Sequence, residues 1–164
     1  MGCRSLKKIK LFKISLLMLL TVIGLSAGSL TVNAASWHHG TPKEIRGLYQ
    51  GKRTSQAEGF GYYYTVTSKS FTLAVSNWPL QKDVHLKYKK LRPHVYRLVG
   101  HTQKRGIVKG GHSDSVVYRK GKLLLTTDYK TYQKKKLKAF KLDLKNPAKR
   151  THKLSGEEGP IVRS

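Results

Sequence analysis

The chain has 164 residues, with 33 Lys and Arg against eight Asp and Glu and a formal charge of +25. Such a charge repels itself, attracts polyanions, and leaves few carboxylates for hydrolytic chemistry. The single cysteine, Cys3, excludes an intrachain disulfide, so burial and backbone pairing must hold the fold together.

Arg4, Lys7, Lys8, Lys10 and Lys13 form a positive leader, and residues 14–30 carry no charge. Val32-Asn33-Ala34 then completes the three-part pattern of a secretory signal peptide. Cleavage is expected after Ala34, with Ala35 as the next choice. The product is expected to be secreted, extracellular or loosely associated with the cell wall. An uncleaved anchor would need about 20 mainly apolar residues. Residues 14–32 approach that length, but Gly24, Ser26, Gly28, Ser29 and Thr31 dilute the second half. Any membrane contact would therefore run only through an uncleaved signal segment. Cys3 precedes the apolar run, which excludes a lipoprotein cysteine, and Leu6 stands where myristoylation requires Ser or Thr. Five basic residues leave with the leader, so residues 35–164 keep 28 Lys and Arg against eight acids, a charge of +20.

After an entry segment over residues 35–40, Thr41-Pro42-Lys43-Glu44 reads as a capping box with proline at the first helical position. One helical turn over residues 42–46 is expected, ended by Gly47, feeding a first strand. Period-2 alternation follows. Tyr62, Tyr64 and Val66 alternate with Tyr63, Thr65 and Thr67; Phe71, Leu73 and Val75 with Thr72, Ala74 and Ser76; Val84, Leu86 and Tyr88 with His85, Lys87 and Lys89. The predicted strands are 46–53, 60–67, 70–76, 83–90, 95–101, 105–109, 115–120, 122–127 and 136–144. In the last, the apolar phase shifts between Ala139 and Phe140, which suggests a bulge. Ser68-Lys69, Gly110-Gly111 and Lys120-Gly121 carry turn chemistry. The predicted fold is mainly β, an antiparallel meander that removes its edges as a closed or partly open barrel, in preference to a sandwich. It spans residues 35–154, and residues 155–164 are expected to be a flexible tail.

Five constellations bear on chemistry. His38-His39 lacks the further ligands that a metal site needs and reads as an exposed pair. In Gly110-Gly111-His112-Ser113-Asp114-Ser115, adjacency does not make a triad, and a turn is the plainer reading. Glu44, Glu58, His85, His101 and His112 are the groups a secreted nuclease would draw on, yet no spacing pairs them. No catalytic residue, cofactor or metal is therefore assigned. Lys134, Lys135, Lys136, Lys138 and Lys141, preceded by Tyr129 and Tyr132, suit a polyanion; the plainer reading is a charged hairpin turn and the solvated face of the last strand. Tyr62, Tyr64, Trp78 and Tyr88 would line a ligand chamber if the barrel held one, and would otherwise be core.

The stretch Trp37-His38-His39-Gly40-Thr41-Pro42, followed by Arg46-Gly47-Leu48-Tyr49, resembles the mature start of small secreted proteins of lactic acid bacteria. Their pattern is W-H-x-G-T-P-x-x-x-R-G-x-[WY]. The resemblance implies export from a Gram-positive cell and carries no activity. A short helical turn leading into Gly-x-aromatic is also similar to lipocalin-like barrels, with Tyr49 in place of their usual tryptophan; it implies architecture only. The leading expectation is a secreted, non-enzymatic protein held electrostatically on anionic wall polymers. No L-P-x-T-G signal or apolar tail would anchor it covalently. The alternatives are a carrier of a small apolar ligand and a secreted nuclease or other hydrolase.

Overall fold

The computed structural model describes residues 36–154, apart from residues 54, 56 and 58. The signal segment, its cleavage site, Glu58 and the tail over residues 155–164 lie outside the described residues. The chain from Ala35 onward is a compact unit of its own.

The strands are β1 (His38–His39), β2 (Gly47–Gln50), β3 (Tyr62–Val66), β4 (Phe71–Val75), β5 (Gln81–Arg92), β6 (Val95–Thr102), β7 (Gly111–Lys120), β8 (Leu123–Asp128) and β9 (Ala148–Thr151). From β2 to β8 each strand pairs antiparallel with the next, and β9 fits between β8 and β2. The result is a closed eight-stranded meander barrel, with β1 as an extra strand on β5. Closure satisfies the edge hydrogen bonds that an open meander would leave exposed.

Alternation decides which side chains face inward. Tyr64, Val66, Phe71, Leu86, Tyr96, Leu98, Val117, Leu124 and Ala148 pack inside with Tyr49, and Ile45 caps them from the turn before β2. The outward residues Val95, Val116 and Leu125 form a second cluster beneath Tyr132 and Phe140. This outer cluster seats the helix α1 (Tyr129–Lys135) and a 3-10 segment (Lys136–Lys141) against the barrel wall.

The predicted turn before β2 exists as a 3-10 turn, Lys43–Ile45, but the capping box does not form. Thr41 is fully buried and its hydroxyl donates to the Thr67 carbonyl instead. The Arg46 guanidinium then bonds the Thr41 hydroxyl at 3.2 Å and its carbonyl at 2.7 Å. The Thr-Pro-x-x-x-Arg-Gly motif is thus one hydrogen-bonded unit at the closed end of the barrel. Gly40 (φ +79°) passes so close to the Ser68 carbonyl that a Cβ would stand 2.3 Å from its oxygen. Trp37 lies under Lys89 and Arg97, 5.0 and 5.6 Å from its ring centre, and His38 meets the Tyr88 ring at 5.2 Å. Residues 37–41 therefore strap the segment before β2 to the barrel.

Several expectations are corrected. Residues 105–109 are a tight loop closed by one Arg105–Val108 bridge, because Gly106 at φ +56° turns the chain back. Residues 136–144 are helical turns, not a strand. The phase shift at Phe140 is the step of a turn that buries Phe140 and exposes Leu137 and Leu142, not a bulge. The bulge falls in β5, where His85 takes φ +52° and the register with β6 slips between Val84 and Lys87. It breaks the alternation predicted there, so that Asp83 and Leu86 are the buried residues on either side. Finally, residues 112–115 are strand, not turn, and the closing strand β9 lies in a stretch for which no strand is predicted.

Candidate functional site: a basic groove on the β8–β9 connection

The groove begins at Asp128. Its carboxylate accepts from the Thr131 amide at 2.7 Å and caps α1. Those Thr131 hydrogen bonds hold the Asp128 carboxyl below its usual value. A negative cap at the start and Lys134 and Lys135 in the last turn both complement the helix dipole. Lys136 then adopts φ +50°, ψ −132°, ends the helix, and turns the chain back in 3-10 geometry. Tyr132 and Phe140 anchor the two limbs, their rings 6.1 Å apart, and Tyr118 meets Phe140 at 5.6 Å.

A hydrogen-bonded pin closes the loop. Asp143 Oδ2 accepts from the Thr126 amide at 2.5 Å and from the Thr126 hydroxyl at 3.2 Å. Burial pushes the Asp143 carboxyl up from its usual value. Thr126 Oγ1 also meets the Tyr64 hydroxyl at 3.0 Å, so the loop is tied into the barrel interior. At the start of α1, Arg97 makes a bidentate pair with Asp114 at 2.8 and 2.6 Å. Its guanidinium lies 3.5 Å from the Tyr129 ring centre.

Between these supports runs an open groove of about 1130 Å³. Lys134, Lys135, Lys136, Lys138 and Lys141 all line it, joined by Arg92 from the β5–β6 hairpin. The five lysines named from sequence are therefore brought together, on a helix and its return rather than on the expected strand face. Arg92 was not named from sequence, because the chain places it 42 residues before Lys134 and only packing joins them. The groove's carboxylates are Asp128 and Asp143, the first spent on the cap and the second on Thr126. Six cations thus share the groove with two carboxylates, and no ion pair joins them among the described residues.

Of the aromatic set, Tyr62 and Tyr64 meet edge-on at 5.8 Å and Tyr88 packs on the same interior cluster, whereas Trp78 stands apart; none of this encloses a chamber of the usual ligand size. Tyr62 donates to the Asn146 carbonyl, and Tyr64 is buried against Phe71. Tyr88 packs on Tyr96, while Trp78 is 58% exposed on the β4–β5 turn. Only Tyr64 of these four borders the interior space of about 140 Å³ shared with Asp83, Ser115 and Thr126. That is below the roughly 300 Å³ of a usual small-molecule site.

The other candidates disperse. His112 and Asp114 point outward and Ser113 inward, since strand neighbours take opposite faces; the Ser113 hydroxyl is buried and Asp114 is held by Arg97. His101 and His112 are register partners on the outer face. Glu44 sits by His94 at 3.3 Å, and His38 and His39 lie along β5. No group of three potential metal ligands occurs among the described residues.

Comparisons with protein-family models, curated proteins and solved structures gave no match. The protein is an eight-stranded antiparallel meander barrel with an external basic groove.

Proposed function

We propose that this is a secreted, non-enzymatic basic barrel protein that binds anionic cell-surface polymers electrostatically. The observation that carries the reading is the convergence of Arg92 and five lysines on one groove whose two carboxylates are already bonded elsewhere. An open groove suits a linear polymer, which passes through, better than a small ligand, which needs enclosure. Lysines on flexible stems act as point charges and tolerate irregular spacing of phosphates or uronates. The signal pattern and the resemblance to small secreted proteins of lactic acid bacteria support placement outside the cell. The lipocalin-like resemblance bears on architecture alone, and the small interior space beside Tyr64 gives the carrier reading little support.

The test is retention of residues 35–164 on purified cell walls, measured against salt. Retention should fall steeply and linearly on a log–log plot, as expected when several bound anions are released. Replacing Lys134, Lys135 and Lys138 by glutamine should flatten that slope. Retention that is indifferent to salt would overturn the proposal.

A further inference from the structure

The inside of the barrel is not apolar throughout. Registered partners on neighbouring strands share a face. Asp83 of β5 stands opposite Phe71 of β4 and Thr102 of β6, and Ser115 of β7 stands opposite Leu98 of β6. Phe71 and Leu98 belong to the interior cluster, so Asp83, Thr102 and Ser115 face inward with them. Ser113, two residues before Ser115, takes the same face. Thr126 of β8 also faces inward, where it meets the Tyr64 hydroxyl. The order β4-β3-β2-β9-β8 is half of the ring, so β4 and β8 stand on opposite walls.

The space of about 140 Å³ lies between these walls, with Phe71, Leu73 and Asp83 on one side and Ser115 and Thr126 on the other. Asp83 is 7% exposed. A carboxylate buried to that degree is costly unless donors or cations surround it. Among the described residues it accepts one side-chain hydrogen bond, from the Thr102 hydroxyl at 2.6 Å. The ion pairs among those residues are Glu44–His94 and Asp114–Arg97, and neither involves Asp83. A chain with 33 Lys and Arg thus leaves this buried carboxylate without a cationic partner among the described residues, at the edge of an internal space. The Ser113 hydroxyl is a second, independent sign, because it is buried on the same inner face with no partner among the described residues. Asp143, bonded to Thr126, places another acid behind the far wall.

We infer that this internal space is a binding site for a compact primary amine in its ammonium form, held by the Asp83 carboxylate. An ammonium brings three donors and no acceptor. One N–H pairs with Asp83, and the pair is charge-assisted. The Ser115 hydroxyl and the Gln81 amide line the same space and offer oxygen acceptors for the others. Phe71 and Leu73 give a short alkyl stem an apolar surface. The volume sets the size of the ligand. At roughly 30 Å³ per water, the space matches about four or five non-hydrogen atoms, well short of an ordinary cofactor or lipid. The sign is set by Asp83 and Asp143, which repel an anion. No group of three metal-binding side chains occurs among the described residues, which favours an organic cation over a metal ion. The inference goes beyond the polymer reading, since it concerns the lumen, whose charge is opposite to that of the outer groove.

The test titrates n-propylammonium chloride into isotope-labelled residues 35–164 and follows the amide resonances. Saturating shifts are expected at Gln81, Asp83, Ser115 and Thr126, in the millimolar range for so small a ligand. Sodium propionate, of similar size and opposite charge, and potassium chloride should produce none there. Asp83→Asn keeps an acceptor for Thr102 and should abolish the saturation. Ser115→Val leaves the carboxylate in place and should weaken binding by about tenfold, through one lost hydrogen bond to a charged group. Thermal unfolding shows which variants are folded, and the valine variant decides the matter if the asparagine one is not. The inference is overturned by an absence of saturating shifts, by equal shifts from propionate or potassium, or by saturation that both variants leave unchanged. Retention on cell walls uses the outer groove and should be the same with or without the amine, so either reading can fail while the other stands.

Discussion

Asp143 and Thr126 share two hydrogen bonds, one from the backbone amide and one from the hydroxyl, and together they close the groove onto the mouth of the barrel. The bonds favour the charged carboxylate, but burial opposes it more strongly and the net shift is upward. A carboxyl whose folded pKa lies above its unfolded value makes stability fall as pH rises between the two. Asp143→Asn keeps an acceptor for Thr126 and removes the buried charge. It should unfold at a higher temperature than the wild type at pH 7, and the advantage should vanish below about pH 4, where the unfolded carboxyl is also protonated. Thermal melts across pH check this, and equal melting points at pH 7 would contradict it.

Tyrosines set the alkaline limit. Burial pushes the Tyr64 hydroxyl up to about 12, and raises Tyr49, Tyr62, Tyr96 and Tyr132 as well. In each case the unfolded chain ionises first, so stability should decline once pH passes about 10. Tyr49 adds a separate effect, because its hydroxyl is buried with no hydrogen-bond partner among the described residues. Tyr49→Phe removes an unsatisfied group without leaving a cavity and should stabilise the barrel by roughly 1 kcal/mol. Denaturant unfolding at neutral pH measures it, and a loss of stability would mean that the hydroxyl is satisfied in solution.

The strap before β2 depends on Gly40. With φ at +79° and the Ser68 carbonyl where a Cβ would go, Gly40→Ala is strained and clashes with backbone. It should cost more than about 1 kcal/mol. The accompanying signal is a change in Trp37 fluorescence as the ring leaves Lys89 and Arg97. A neutral substitution would show that the strap contributes nothing to stability.

The groove's shape rests on Phe140 and Arg97. Phe140 is 1% exposed beneath the groove, and Phe140→Ala should cost about 3–5 kcal/mol if the segment stays packed. A smaller loss, with α1 helicity gone, would mean that the segment detaches independently of the barrel. Arg97→Ala removes both the Asp114 pair and the Tyr129 contact, and should weaken wall retention without removing any groove lysine.

The barrel was legible where alternation was regular. Tyr64, Val66 and Phe71 are core, with Tyr62 and Leu73 packed against them, as their period predicts, although Val75 at the strand end is exposed; the Ser68-Lys69 turn joins the two strands. It was illegible where two apolar faces were needed at once. Residues 129–145 pack outside the barrel on Val95, Val116 and Leu125, so their spacing mixes a short helix with 3-10 turns and mimics a bulged strand. A signal was available in Asp128, an N-cap residue three positions before Thr131. The strand β9 has only four residues, two of them exposed, and carries too little pattern to read. The groove's lysines were legible as a charge run. Their union with Arg92 was not, because it depends on where the helix docks.

The pairing of β5 carries one more consequence. On the side away from β6, residues 81–83 bond to β4, whereas residues 87–88 are met only by β1, with the Gly40 amide reaching the Leu86 carbonyl at 2.6 Å. Two histidines therefore cover part of the β5 edge that β4 leaves unpaired. A protease that trimmed the polypeptide past His39 would leave the barrel standing but expose a template for a foreign strand. Trimmed material should self-associate with rising concentration while the intact form stays monodisperse, so how the front of the molecule is processed would govern its solubility.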